Sequence, residues 1–526
     1  MKELKELRIE DLSVEQKIGM LFVVRGFRDD EDKAFVLDMI KKHAIGAVQI
    51  FIWGDYQKLI DEVKEAADYP ILICADMEKG FPRSEYKIGS QMVLAATGDE
   101  KYAYEFARLT SIEAKKVGYN CIWSPIIDIG VNMRRFSDDR DTCAKYGTAM
   151  VKGFQDEGVV CGAKHFPGGK IVRANPDKHM DGHIERKKPS TVTEEELMEG
   201  AFVPYKKAIA EADLSGVMVG HSVMANIDPD YPSSMSPKVI GLLRKIGFDG
   251  VLFSDSMAMM GVASQYGIEE TTWRPIAAGC DLVLPNYRAS FKEVYDFMMK
   301  AYKEGRITDE RLDDAVRHVL AAQKRTMKQA SSTELSEEQK QLTTEISKLG
   351  ITAFCHEGVE AKLPENTKKL FVIMHENLYP GIVDESKELE KQTGFSRQDA
   401  LIKKELILKE YPDAEVMLIN EYPHNSETEK LVHALAEADE AIFYTFTNTT
   451  SYLASSSLSI RIQYVISCYT DKISTVVHMG VVHDVKRVKD IKRVLYAFPG
   501  KDSVQQTLDA LKGRFIPTGK LPVNLD

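Results

Sequence analysis

Asp255 stands directly after the apolar run Val251-Leu-Phe-Ser, and a carboxylate in that position reads as catalytic. A strand that delivers its last side chain to one rim, repeated along a chain, is how a barrel builds an active site from distant segments. The densest chemistry lies earlier, in Ala163-Lys-His-Phe-Pro-Gly-Gly-Lys. Lys164 and His165 close another apolar run, and Pro167, Gly168 and Gly169 then force a sharp turn. Beyond the turn, Asp177 and His179 are separated by one residue. A carboxylate so placed can orient and polarise an imidazole that moves a proton near neutral pH. A second pair of the same form, Asp181 and His183, follows in the same segment. His165, Asp177, His179, Asp181 and His183 are also ordinary zinc ligand types, so a metal-dependent hydrolase is an alternative reading. They sit in a glycine-bounded loop rather than on paired rigid elements, which argues against it.

The elements that must position these groups are legible as eight apolar runs, at 18–25, 46–51, 71–76, 120–128, 159–165, 216–221, 250–255 and 281–285. Stretches with helical spacing, such as 102–117 and 195–212, lie between most of them. Strands alternating with helices imply a parallel sheet, and burial on both faces explains why the runs are continuous Val, Ile and Leu. The expected fold is therefore α/β, with a (β/α)8 barrel whose rim gathers Arg25, Asp76, Asp128, Lys164, His165, His221 and Asp255.

With 526 residues the chain is too long for one ordinary core. The barrel is expected to occupy residues 1–330. A polar stretch from Gln329 leads into a linker helix within 331–348, and a smaller α/β domain is expected over 349–526. Strands there are predicted at 369–374, 415–420, 440–446 and 474–479, with helices at 430–438, 460–469 and 503–513. The net charge of −11 and the lack of any long basic block make nucleic acid an unlikely partner. The N-terminus has no signal-peptide core and no run of 18 apolar residues occurs, so a cytoplasmic protein without a membrane partner is expected. Seven cysteines without a CxxC pair fit reduced thiols.

Lys164-His-Phe-Pro-Gly, Asp177-x-His179 and Ser254-Asp255 together resemble the family 3 glycoside hydrolases, and most closely their β-N-acetylglucosaminidase (β-hexosaminidase) branch. Asp76-Met-Glu-Lys-Gly, Ser124-Pro-Ile-Ile-Asp128, Arg134-Arg-Phe-Ser-Asp-Asp, Met218-Val-Gly-His221 and Gly519-Lys-Leu-Pro-Val523 resemble further family segments. The resemblance implies a retaining, exo-acting β-glycosidase that needs no cofactor and takes a small carbohydrate substrate. It implies Asp255 as nucleophile, Asp177 and His179 as the acid/base pair, and Asp76, Arg134, Lys164, His165 and His221 as sugar-binding residues. It also implies a C-terminal α/β/α sandwich after the barrel.

The departures are specific. Gly169 and Lys170 stand where the hexosaminidase branch has His and Gly, and its Asp-x-His falls two residues earlier than Asp177 and His179. Lys79 and Phe81 replace its Gly and Arg. Three alternatives stay open: a glucosidase-like enzyme with its acid in the second domain, a glycoside phosphorylase, since a histidine acid/base leaves room for an anionic acceptor, and a degenerate barrel that only binds sugar.

Overall fold

The computed structural model describes residues 4–168, 189–376, 395–447 and 457–525. The N-terminal half is a curled parallel sheet in sequential order: β1 (Val23–Arg25), β2 (Ala47–Gln49), β3 (Leu72–Ala75), β4 (Cys121–Ile122), β5 (Val160–Phe166), β6 (Gly216–Val219) and β7 (Val251–Ser254). The eighth run closes the circle through isolated bridges. Phe253 pairs with Leu282 and Phe22 with Val283, and the amides of Ser254 and Val23 donate to the carbonyls of Leu282 and Val283, each at 2.9 Å. The result is a (β/α)8 barrel, as the apolar runs require.

Large side chains fill its interior rather than leaving a pore. Trp123 is buried and meets Phe253 edge-on with ring centroids 6.0 Å apart. Gly162 on β5 makes room for it, because a Cβ there would stand 2.8 Å from the indole.

The first and fourth strands are much shorter than their apolar runs. Residues Val14–Gly19 form a helix, started by a capping box in which Ser13 and Gln16 satisfy each other's backbone amides, so the first strand begins only at Val23. In the run at 120–128, Pro125 cannot donate to a ladder, and regular pairing stops at Ile122. The helical stretch at 195–212 divides into Glu194–Glu199 and Val203–Ala212 around Gly200, with Pro204 in the first turn of the second helix.

Helix Glu337–Leu349 leads to a second sheet of six strands. Its order is β10 (Glu415–Asn420), β9 (Lys369–His375), β11 (Glu440–Phe446), β12 (Ile473–Met479), β13 (Arg493–Tyr496) and β8 (Thr352–Cys355), with β8 antiparallel at the edge. Loops of the two halves approach closely. A Cβ on Gly89 would lie 1.6 Å from the carbonyl oxygen of Pro499, so only glycine fits there. The final segment also returns to the barrel, where Ser137 Oγ donates to the Pro522 carbonyl and Asn524 N donates to Asp138 Oδ1 at 3.2 Å.

Candidate active site

The C-terminal ends of the strands bring Arg25, Asp76, Asp128, Lys164, His165, His221 and Asp255 to one mouth. β5 supplies the central cation. Its pairing with β6 shifts register between Lys164 and Phe166, which interrupts the regular alternation of side chains at the strand end. Lys164 is 2% exposed, and its Nζ donates to Asp76 Oδ1 at 2.5 Å and lies 2.9 Å from Glu78 Oε1. Arg134 Nη2 donates to the same Glu78 oxygen at 2.7 Å. Two cations and two carboxylates thus share one side of the mouth, a polar array suited to paired hydrogen bonds with a polyol. Burial pushes the Glu78 carboxyl up, but Lys164 and Arg134 outweigh it and hold the group well below the usual carboxylate range.

His165 is tied down by Asp128. Its backbone amide donates to Asp128 Oδ1 at 2.6 Å, and its Nδ1 lies 3.4 Å from Oδ2. Asp128 is itself buried and held ionised, because the His165 and Arg135 interactions overcome the desolvation that opposes its charge. His221, at the end of β6, is buried with both ring nitrogens engaged: Nε2 donates to the Ser256 carbonyl at 2.9 Å, and Nδ1 lies 2.7 Å from Ser234 Oγ.

Asp255 follows β7, with its amide donating to the Val219 carbonyl at 2.9 Å and its Oδ1 accepting from Ser256 N at 2.6 Å. Burial raises the tendency of this carboxyl to hold a proton. His221, His165, the Ser256 amide and Lys164 together reverse that and keep it anionic far below neutral pH. A desolvated carboxylate that stays charged is what attack on an electrophilic carbon needs.

The chain belongs to glycosyl hydrolase family 3. Residues 13–322 match the family's N-terminal domain, a span that covers the whole barrel. Among relatives, a protein of Cellulomonas fimi named β-N-acetylglucosaminidase/β-glucosidase is 30% identical over 341 residues, 60% of this chain and 58% of its own length. A β-hexosaminidase of Xylella fastidiosa strain M12 is 30% identical over 270 residues, 47% of this chain and 78% of that protein. A family 3 β-N-acetylglucosaminidase from Paenibacillus sp. str. FPU-7 has the same fold, with a TM-score of 0.77 at 23% identity over 98% of this chain and 99% of that one.

Of the sequence-derived site residues, Asp76, Arg134, Lys164, His165, His221 and Asp255 are placed on this family 3 barrel mouth. Asp177 and His179, and the second pair Asp181 and His183, lie outside the described residues. Glu78, within the Asp76-Met-Glu-Lys-Gly motif, bridges Lys164 and Arg134; the signal for it in the sequence is a second acid two residues after the rim aspartate. Among the described residues the one cluster with metal-ligand spacing is Asp281, Asp314 and His318, away from the mouth. There Asp281 already accepts from Arg244 and Arg311, which supply the positive charge a metal would bring.

The C-terminal part supports the loop that carries Arg134. Tyr496 on β13 places its hydroxyl 3.3 Å from Met133 Sδ, next to Arg134, while donating to the Gly480 carbonyl at 2.6 Å. These two contacts make Tyr496 a brace for the loop.

Proposed function

We propose that this chain is a retaining, exo-acting β-glycosidase, a β-N-acetylglucosaminidase that removes a terminal β-linked N-acetylglucosamine from a small carbohydrate. The observation that carries the reading is Asp255, half-buried at the end of β7 and held anionic by a ring of cationic and imidazole groups. In the first step Asp255 attacks the anomeric carbon while an acid protonates the departing oxygen, leaving a glycosyl ester on Asp255. Water then attacks that ester with the same acid acting as base, and the configuration is retained. We assign the acid/base to His179, polarised by Asp177, with Asp181 and His183 as the competing pair. Asp76, Glu78, Arg134, Lys164, His165 and His221 bind and orient the sugar.

The relatives named β-N-acetylglucosaminidase and β-hexosaminidase support the choice of donor sugar. The reaction requires no cofactor in this scheme, and we place it in the cytoplasm. Among the described residues no helix is long and apolar enough to cross a membrane. The deciding experiment is a panel of 4-nitrophenyl β-glycosides of N-acetylglucosamine, glucose, xylose and N-acetylgalactosamine, each with and without phosphate. Fastest release from the N-acetylglucosaminide, independent of phosphate, is expected. A phosphate-dependent rate with a sugar 1-phosphate product would make the enzyme a phosphorylase, and preference for the glucoside would overturn the donor assignment.

A further inference from the structure

On the side of the mouth formed by the ends of β1, β2 and the eighth run stands a group of aromatic rings that the scheme above does not use. Phe51 and Trp53, just past β2, are stacked with ring centroids 4.3 Å apart and planes 4° from parallel. Tyr287, just past the eighth run, stands across from them, and the Arg25 guanidinium lies between, 5.9 Å from the Phe51 ring and 5.2 Å from the Tyr287 ring. Arg25 ties this group to the reacting centre. It donates to Ser256 Oγ, next in sequence to Asp255, and its Nε donates to Gln49 Oε1 at 2.8 Å. Trp53 is 64% exposed and Tyr287 54% exposed, although large apolar rings usually lose most of their surface on folding. One face of the Trp53 indole is covered by Phe51, and its remaining surface is open beside the mouth.

Rings fixed by stacking and by a cation between them are preorganised, so binding against them orders little. A pyranose ring has an apolar face of C–H groups and a polar edge, and an indole matches the first while leaving the second in water. The donor sugar must lie over Asp255, among the charged groups of β3, β5 and β6, and those groups offer hydrogen bonds rather than flat apolar surface. The aromatic group stands instead on the part of the rim formed by β1, β2 and the eighth run, which carries none of these donor-binding groups.

We propose that Trp53, backed by Phe51 and faced by Tyr287, is the binding platform for the leaving group, and that it selects a second pyranose ring there. This rests on the glycosidase reading above.

The test separates leaving-group recognition from donor recognition. A β-glycosyl fluoride of the preferred sugar has no ring to leave, whereas the β-linked disaccharide of that sugar does. For Trp53→Ala, kcat/KM on the disaccharide should fall about tenfold to a hundredfold, the usual worth of one ring stacked on an aromatic face, while the fluoride changes less than about twofold. Trp53→Phe should restore most of the disaccharide activity. Equal losses on both substrates, or no loss on either, would overturn the platform. A wild type that turns over neither the fluoride nor the disaccharide, nor any aryl glycoside, would defeat the glycosidase reading itself; turnover of the fluoride with an unaffected Trp53→Ala disaccharide rate would defeat only the platform.

Discussion

Lys164 Nζ lies 2.9 Å from Glu78 Oε1 with the lysine side chain almost completely removed from solvent, so the rim of the barrel contains a buried ion pair rather than a surface one. Arg134 closes the other side of Glu78, and Asp76 the other side of Lys164. Removing one member of such a group leaves its partners buried and uncompensated, which costs far more than the pair itself contributes.

The first prediction follows from that arrangement. Lys164 is among the groups that hold Asp255 anionic. A carboxylate with a depressed pKa works above that pKa and fails as pH falls through it. In Lys164→Met the depression is partly lost, so failure begins at higher pH. The acidic limb of the kcat/KM profile should move to higher pH, in addition to an overall fall in rate. An unmoved limb would mean that Lys164 acts by substrate contact alone.

Asp255→Asn should reduce turnover by at least about a thousandfold while leaving the circular dichroism spectrum and unfolding midpoint near those of the wild type. A 2-fluoro glycoside should label the wild type at Asp255, as read by peptide mass spectrometry. Labelling at another carboxylate would reassign the nucleophile.

The rim was legible in the sequence because the barrel imposes a simple rule. Each buried parallel strand is an apolar run, and its first acidic, basic or imidazole residue marks the C-terminal edge; Asp76, His221 and Asp255 obey this directly. The rule fails where another local signal competes. Ser13 and Gln16 start a helix that extends into what reads as the first run, and Pro125 ends the fourth ladder early. In the second sheet, β13 does not read as a strand because Lys492 and Arg493 interrupt the apolar pattern; Arg493 is nevertheless accommodated, donating to Thr475 Oγ1 at 2.8 Å and to the Lys362 carbonyl at 3.0 Å. Edge strand β8 is only four residues long. Helix Arg397–Glu410 buries only Ala400 and Ile407, so its apolar residues show no clear face, although Ser396 and Asp399 mark its start as a capping box. The bridging role of Glu78 and the aromatic group at Trp53 depend on contacts between segments, which no single run records.

The far end of the barrel carries a second buried network with a different pH signature. Asp281 is fully buried and accepts from Arg244 Nη2 at 3.0 Å and Arg311 Nη2 at 2.5 Å, with His318 Nδ1 at 3.2 Å. Burial opposes the charge of His318, but Asp281 outweighs it and raises the imidazole above its ordinary value. A group whose folded pKa is raised stabilises fully below its unfolded pKa and loses that contribution as pH rises through the folded one. Wild-type stability should therefore decline above about pH 6.5, and His318→Gln should flatten that decline. Asp281→Asn should cost about 3–5 kcal/mol, measured as a shift of the barrel's urea transition. A loss much smaller than this would show that the arginines find other partners.

The acid/base assignment gives the sharpest kinetic contrast. With His179 as the acid, His179→Ala should slow substrates with poor leaving groups by roughly 100- to 10,000-fold. Activated aryl glycosides need little protonation to depart, so their glycosylation step should change much less, and the basic limb of the pH profile should disappear with the imidazole. Measurement of both substrate classes on His179→Ala and His183→Ala locates the pair. If His183→Ala alone shows the pattern, the acid is His183, polarised by Asp181. If neither variant shows it, the acid comes from elsewhere in the chain, and acidic residues after helix Glu337–Leu349 become the candidates, as in a glucosidase-like enzyme.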